Sequence, residues 1–120
     1  MKTKTLIIGA SVNPDRYSYK AAERLLANGH AIYMLGARAG TLFNLPIEAA
    51  PLPYTDVDTV TLYLGPANQP DYYDYILSLH PRRVIFNPGT ENPPFAARLR
   101  AAGIVAEEAC TLVLLSTNAY

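Results

Sequence analysis

Cysteine is almost missing from this sequence. Cys110 is the only one among 120 residues, so no disulfide can form within the chain. That suits a reducing compartment. Histidine is nearly as scarce: His30 and His80 lie far apart, each near the end of a segment. Helix-end or surface roles suit both, and no Cys/His cluster has metal-ligand spacing, so no metal site is expected. Neither sign of charge is in excess, since ten Lys and Arg balance ten Asp and Glu. A basic stripe of the kind that tracks nucleic acid is absent. The Arg82-Arg83 pair and the scattered Lys2 and Lys4 read as solvated surface. Long apolar runs are missing as well, and none approaches the ~18 residues of a membrane span. The opening MKTKTLIIGAS has only Leu6-Ile7-Ile8-Gly9-Ala10 as its apolar part. That is too short for the core of a signal peptide. It reads as the first strand of a cytoplasmic protein.

What is present is enough for one domain spanning residues 1–120, with half of its residues apolar. Two full βαβαβ halves do not fit in this length. Residues 5–9 form a continuous apolar run, suited to a strand covered on both faces. Ala22, Leu25, Leu26 and Gly29 recur at helical spacing in residues 18–28, and residues 31–35 make a second strand. The segment GARAGTLFNLPIEAAPLPYTD has three prolines and no full helical period. It predicts a turn of helix near residues 41–43 and a short strand near Ile47. TVTLYL at 59–64 is a further strand, broken by Gly65-Pro66. A helix follows over about 70–79, then a strand at 83–86 ending in NPGTEN. Asn92 caps a helix that opens with Pro93 and Pro94, carries Phe95, Ala96, Leu99 and Ala102, and stops at Gly103. A short strand at 104–106 and one or two helical turns over 109–115 complete the chain.

Strands alternating with helices predict an α/β, Rossmann-like three-layer sandwich with a mostly parallel five-stranded sheet. Right-handed crossovers then gather the strand-to-helix loops on one edge. That edge collects Gly9-Ala10-Ser11, Gly36-Ala37-Arg38, Gly65-Pro66 and Asn87-Pro88-Gly89-Thr90. A ligand belongs there, outside the carboxyl ends of the strands.

The first loop lacks G-x-G-x-x-G and is several residues longer than such a turn. Gly9 permits a tight turn, and Ala10 and Ser11 are small enough for backbone to approach a phosphate. Their N–H groups and the helix N-terminus offer partial positive charge. The Ser11 hydroxyl adds a hydrogen bond, and Arg16 and Lys20 add full charges, with Asn13 and Ser18 between them. A dinucleotide site wants an acid about 20 residues further on, to bond the ribose diol. The second strand ends instead in Gly36-Ala37-Arg38, without a carboxylate. A guanidinium there suits a phosphate on the ribose, as in coenzyme A or NADP.

The stretch GASVNPDRYSYKAAERLLANGHAIYML resembles the CoA-binding domain family, small Rossmann-like proteins similar to the nucleotide-binding part of the succinyl-CoA synthetase α subunit. TVTLYLGPANQPDYYDYILSL, VIFNPGTENP and EACTLVLL extend the likeness along most of the chain. It implies that Gly9, Ala10, Ser11, Asn13 and Arg16 face the diphosphate of CoA, and that Arg38 takes the ribose phosphate. Leu64, Gly65 and Pro66 would line the adenosine side, and Asn87, Pro88 and Gly89 the pantetheine path. Many members carry Asn-Pro-Arg where this chain has Gly36-Ala37-Arg38.

No nucleophile–base pair stands out. Cys110 would lie near the ligand in the family-like arrangement, yet it reads first as a small buried hydrophobe. Glu91 reads as a helix N-terminal carboxylate, with a general-base role or acceptance from a ligand amide as alternatives. Tyr72 and Tyr75 read as core or interface residues with wet hydroxyls. The related synthetase uses a phosphorylated histidine on a separate domain, which this chain lacks. The expected function is therefore binding of CoA or an acyl-CoA without autonomous catalysis, as a homodimer or beside an acyl-transfer partner. Two alternatives are a minimal NADP-dependent enzyme and an interaction protein with a vestigial site, whose contact face is Tyr72, Tyr73 and Tyr75.

Overall fold

The computed structural model describes residues 3–120. Lys2, one of the expected surface lysines, lies outside them. The elements are β1 (Lys4–Ile8), α1 (Tyr17–Ala27), β2 (Ala31–Leu35), β3 (Gly40–Leu42), β4 (Leu45–Glu48) and β5 (Val57–Leu62). Then come α2 (Tyr73–Leu79), β6 (Arg83–Phe86), α3 (Pro93–Ala101), β7 (Val105–Glu108) and α4 (Thr111–Ser116). The α/β, Rossmann-like architecture is as the alternation implied, but the sheet has seven strands, not five, in the order β3-β4-β2-β1-β5-β6-β7. All neighbours are parallel except the β3–β4 pair.

One of the two additional strands, β3, comes from a hairpin. Where a turn of helix was expected near residues 41–43, Leu42 pairs with Leu45 across an antiparallel turn. Phe43 and Asn44 both take left-handed backbone, φ 51° and 62°. That is the two-residue geometry whose twist matches a hairpin. The helix expected over 70–79 is shorter. Two 3-10 turns, Pro66–Asn68 and Pro70–Tyr72, precede α2.

Side chains alternate across the sheet because successive strand residues point to opposite faces. Leu6 and Ile8 of β1 join Leu62, Phe86, Ile76 of α2 and Phe95 and Leu99 of α3 in one core. Ile7 points the other way, to Ala22 and Leu25 of α1 and Leu115 of α4. Phe86, Phe95, Leu25 and Leu99 are fully buried, each stabilising the fold by about 1.5–3 kcal/mol relative to exposure. Ala102, expected on the buried stripe of α3, is exposed because that helix ends at Ala101.

Arg83 corrects a surface expectation. Its neighbour Arg82 is exposed and ion-paired with Asp58 at 2.9 Å, but Arg83 is 5% exposed. It opens β6 inside the sheet. Its guanidinium lies 4.5 Å from the Tyr120 ring centre and pairs with Glu107 at 3.5 Å.

The parallel register brings the carboxyl ends of β2, β1, β5 and β6 to one edge. The chain leaves β1 toward β2 on one side and later returns to β5 on the other. A crevice opens where the order reverses. Among the described residues no helix is long and apolar enough to cross a membrane.

Candidate functional site

The loop after β1 turns at Gly9, whose φ is +95°. A Cβ there would sit 2.7 Å from the carbonyl oxygen of Tyr63, so backbone is packed against backbone and only glycine fits. The Gly9 and Ala10 amides both donate to the Leu35 carbonyl, at 2.9 and 3.0 Å. This corrects the expectation that the Ala10 N–H faces a ligand: it is consumed in joining the first loop to the end of β2. Beyond Ala10 the loop bonds to itself. The Asn13 amide donates to Ser11 Oγ and the Asp15 amide to Asn13 Oδ1, each at 3.0 Å. The Arg16 amide donates to the Asn13 carbonyl.

The amides of Ser11 and Val12, and those of Tyr17, Ser18 and Tyr19 in the first turn of α1, have no acceptor among the described residues. Helix N-termini normally meet this need with a Ser, Thr, Asp or Asn cap. α1 has Arg16 at that position, makes no side-chain cap bond, and carries no acid in its first turn. α3 shows the contrast, because Asn92 accepts from the Phe95 amide at 3.2 Å. The start of α1 is therefore a concentration of unmet donors with a cation beside it.

These donors open into a cleft of about 990 Å³. Gly9, Ala10, Ser11, Asn13, Arg16 and Ser18 line one side, Arg38 a second, Leu64 and Gly65 a third, and Pro88, Gly89 and Thr90 a fourth. Asp15 also borders it, the one acid among these walls. A smaller recess of about 380 Å³ adjoins it, lined by Gly9, Gly36, Ala37, Leu64, Asn68, Asp71 and Tyr72. The floor between the two loops is tight. A Cβ on Gly36 would lie 2.5 Å from the Ala10 carbonyl oxygen.

Four of the expected site residues line neither the cleft nor the recess. Lys20 is exposed on α1, with its Nζ 5.2 Å from the Tyr17 ring centre. Pro66 is exposed at the start of a 3-10 turn. Asn87 is 2% exposed and fully bonded: Nδ2 donates to Thr61 Oγ1 at 2.6 Å and to the Leu62 carbonyl at 2.8 Å, and Oδ1 accepts from the Thr111 amide. Cys110 is half-buried at the N-cap of α4. Glu91 does not cap a helix. Its Oε1 accepts from the Gly89 amide at 2.8 Å and braces its own loop.

Several lining residues escaped the sequence reading. Gly40 and Ile47 reach the cleft only because the β3–β4 hairpin folds back beside the first loop. Thr90, expected at the ligand edge but given no role there, lines the cleft as well. Tyr63 lines the cleft too, and burial pushes its phenol up to about 12. Its hydroxyl is buried near those of Thr61 and Thr111, without a hydrogen bond of good geometry among the described residues. The proposed tyrosine contact face is not a free surface. Tyr72, Tyr73 and Tyr75 are half-buried against the core, Tyr73 stacks on Phe95 at 4.1 Å, and Tyr75 donates to the Leu52 carbonyl at 2.6 Å. Among the described residues no group of three or more His, Cys, Asp or Glu could hold a metal ion.

Residues 3–116 match the model of a family described as CoA binding domain. The chain belongs to the CoA-binding domain family. No curated protein matches it. Among solved structures, the same CoA-binding fold superposes on a crystal structure of an uncharacterised protein with a TM-score of 0.98 and 46% identity, over 100% of this chain and 99% of that one. Cell-free ID.343 from Thermus thermophilus is 20% identical, with a TM-score of 0.86 over 99% of this chain and 91% of its own. Aspartate semialdehyde dehydrogenase II from Vibrio cholerae is 13% identical, with a TM-score of 0.55 over 97% of this chain and 46% of its own. The last two likenesses are of fold alone. They make this CoA-binding domain Rossmann-like in architecture.

Proposed function

We propose that the protein binds coenzyme A or an acyl-CoA in this cleft and carries out no chemistry on it alone. The single observation that supports the reading is the uncapped start of α1. Unmet amides, an Arg at the N-cap and no acid in the first turn make an anion subsite facing the open cleft. A diphosphate fits there, with Arg16 beside it. Arg38, on the wall formed by the loop after β2, suits the ribose phosphate that distinguishes CoA from NAD. The recess beside Leu64 suits the adenine, and the Gly89–Thr90 wall the pantetheine arm.

The side chains that line the cleft support a reading without autonomous catalysis. The cleft's hydroxyls are those of Ser11, Tyr17, Ser18 and Thr90, that of Tyr63 being buried beneath it. Thr90 donates to the Asn87 carbonyl, and Ser11 accepts from Asn13. None of the four is bonded to a histidine or carboxylate, the pairing an activated nucleophile requires. A binder of this kind works with a separate protein that loads or removes the acyl group.

Thermal unfolding with added nucleotides tests the reading. A ligand at 100 times its dissociation constant stabilises by about 2.7 kcal/mol. CoA is expected to raise the melting temperature, dephospho-CoA to raise it less, and NAD to leave it unchanged. A rise with NADP alone would transfer the site to a nicotinamide enzyme. No rise with any of the four removes the nucleotide reading.

A further inference from the structure

We infer that Gln69 is a positioning residue that sets the separation of two cleft walls, and that it does so for the CoA-binding reading given above, on which this inference rests. Gln69 is 0% exposed. Its Nε2 donates to two carbonyls at once, Leu64 at 3.0 Å and Thr90 at 2.7 Å. Leu64 belongs to the wall after β5 and Thr90 to the wall after β6. Strand pairing between β5 and β6 ends at Leu62 and Phe86. Past that point no ladder bond spans the two loops, and the Gln69 amide takes over as the bridge.

The bridge is itself held. Gln69 Oε1 accepts from Asn92 Nδ2 at 2.9 Å, and the same Nδ2 donates to Tyr73 Oη at 2.7 Å. Asn92 Oδ1 caps α3. All of Gln69's side-chain hydrogen-bonding groups therefore have partners in a buried setting, where an unmet donor or acceptor is costly. One amide group fixes a distance rather than a contact with ligand. Its loss lets the Gly89–Thr90 wall move while the first loop, anchored to Leu35, stays in place.

The test compares two ligands of different reach. Adenosine 3′,5′-bisphosphate spans the first loop and the Leu64 side, whereas CoA also needs the Gly89–Thr90 wall. Calorimetric titration of Gln69→Met, which keeps shape but not hydrogen bonding, is expected to show CoA binding weakened about tenfold and bisphosphate binding changed less than about threefold. Asn92→Asp keeps an acceptor for the Phe95 amide but cannot donate to Gln69, and is expected to shift the ratio the same way. It decides the matter if Gln69→Met does not fold. An equal loss for both ligands, or no loss for CoA, overturns the positioning role while the CoA reading stands. If the unaltered protein binds neither ligand, the CoA reading falls, and this inference with it.

Discussion

Thr111 donates its backbone amide to Asn87 Oδ1 at 2.9 Å, which fastens the start of α4 to the end of β6. The same side chain reaches Thr61 and Leu62 on β5. Asn87→Ala takes a hydrogen-bond partner from three buried groups on two segments, β5 and α4. It is expected to cost roughly 1–3 kcal/mol in urea unfolding. A loss below about 0.5 kcal/mol, the range of an ordinary surface change, would mean the network carries no weight.

Arg38 stands exposed on the cleft wall opposite α1. Arg38→Ala is expected to remove the difference in affinity between CoA and dephospho-CoA, because a charge-assisted bond to phosphate is worth about 1.5–3 kcal/mol. Titration of both ligands against both proteins reads this directly. If the variant still discriminates as the unaltered protein does, Arg38 has no part in recognising the ribose phosphate.

Arg16→Asp sets stability against binding. An Asp at the N-cap accepts from the first-turn amides and opposes the positive helix end, a gain of about 1 kcal/mol. The same carboxylate then occupies the donors proposed for the diphosphate and repels it. The expected variant melts at a higher temperature and binds CoA at least about tenfold more weakly. Stabilisation with unchanged CoA affinity would place the diphosphate elsewhere.

Burial pushes the Tyr75 phenol up to about 12, with Tyr54 adding to the effect. A phenol in the unfolded chain ionises near 10. The folded pKa is the higher one, so this contribution to stability is complete below pH ~10 and is lost as pH rises toward ~12. Tyr75→Phe should flatten the fall of stability across that window, measured by urea unfolding at several alkaline pH values. The slope that remains belongs to Tyr63, Tyr54 and Tyr120, whose phenols burial raises in the same way. An unaltered slope would show that Tyr75 ionises as freely in the fold as out of it.

The sequence was most informative where structure is local. The apolar run of β1, the Asn92 cap with its two prolines and the small residues after β1 each act within a few positions, so each could be read from its neighbours. The β3–β4 hairpin could not. Its turn depends on two residues in left-handed backbone, and Phe43 is not a residue that announces such a turn. Arg83 looked like surface because its burial depends on Tyr120, Glu107 and Thr59, all distant in the chain. Gln69 and Asn87 were hidden for the same reason. Gln69 carried no expectation and Asn87 read as a ligand contact, because their partners lie on other segments.

Gly36 leaves no room for a side chain over the carbonyl of Ala10. The turn after β2 and the turn after β1 are thus sterically coupled. Placing Asn-Pro-Arg at positions 36–38 would force Ala10 aside and, with it, the start of α1. Any engineered library meant to retune the preferred nucleotide has to vary both turns together, or hold position 36 fixed.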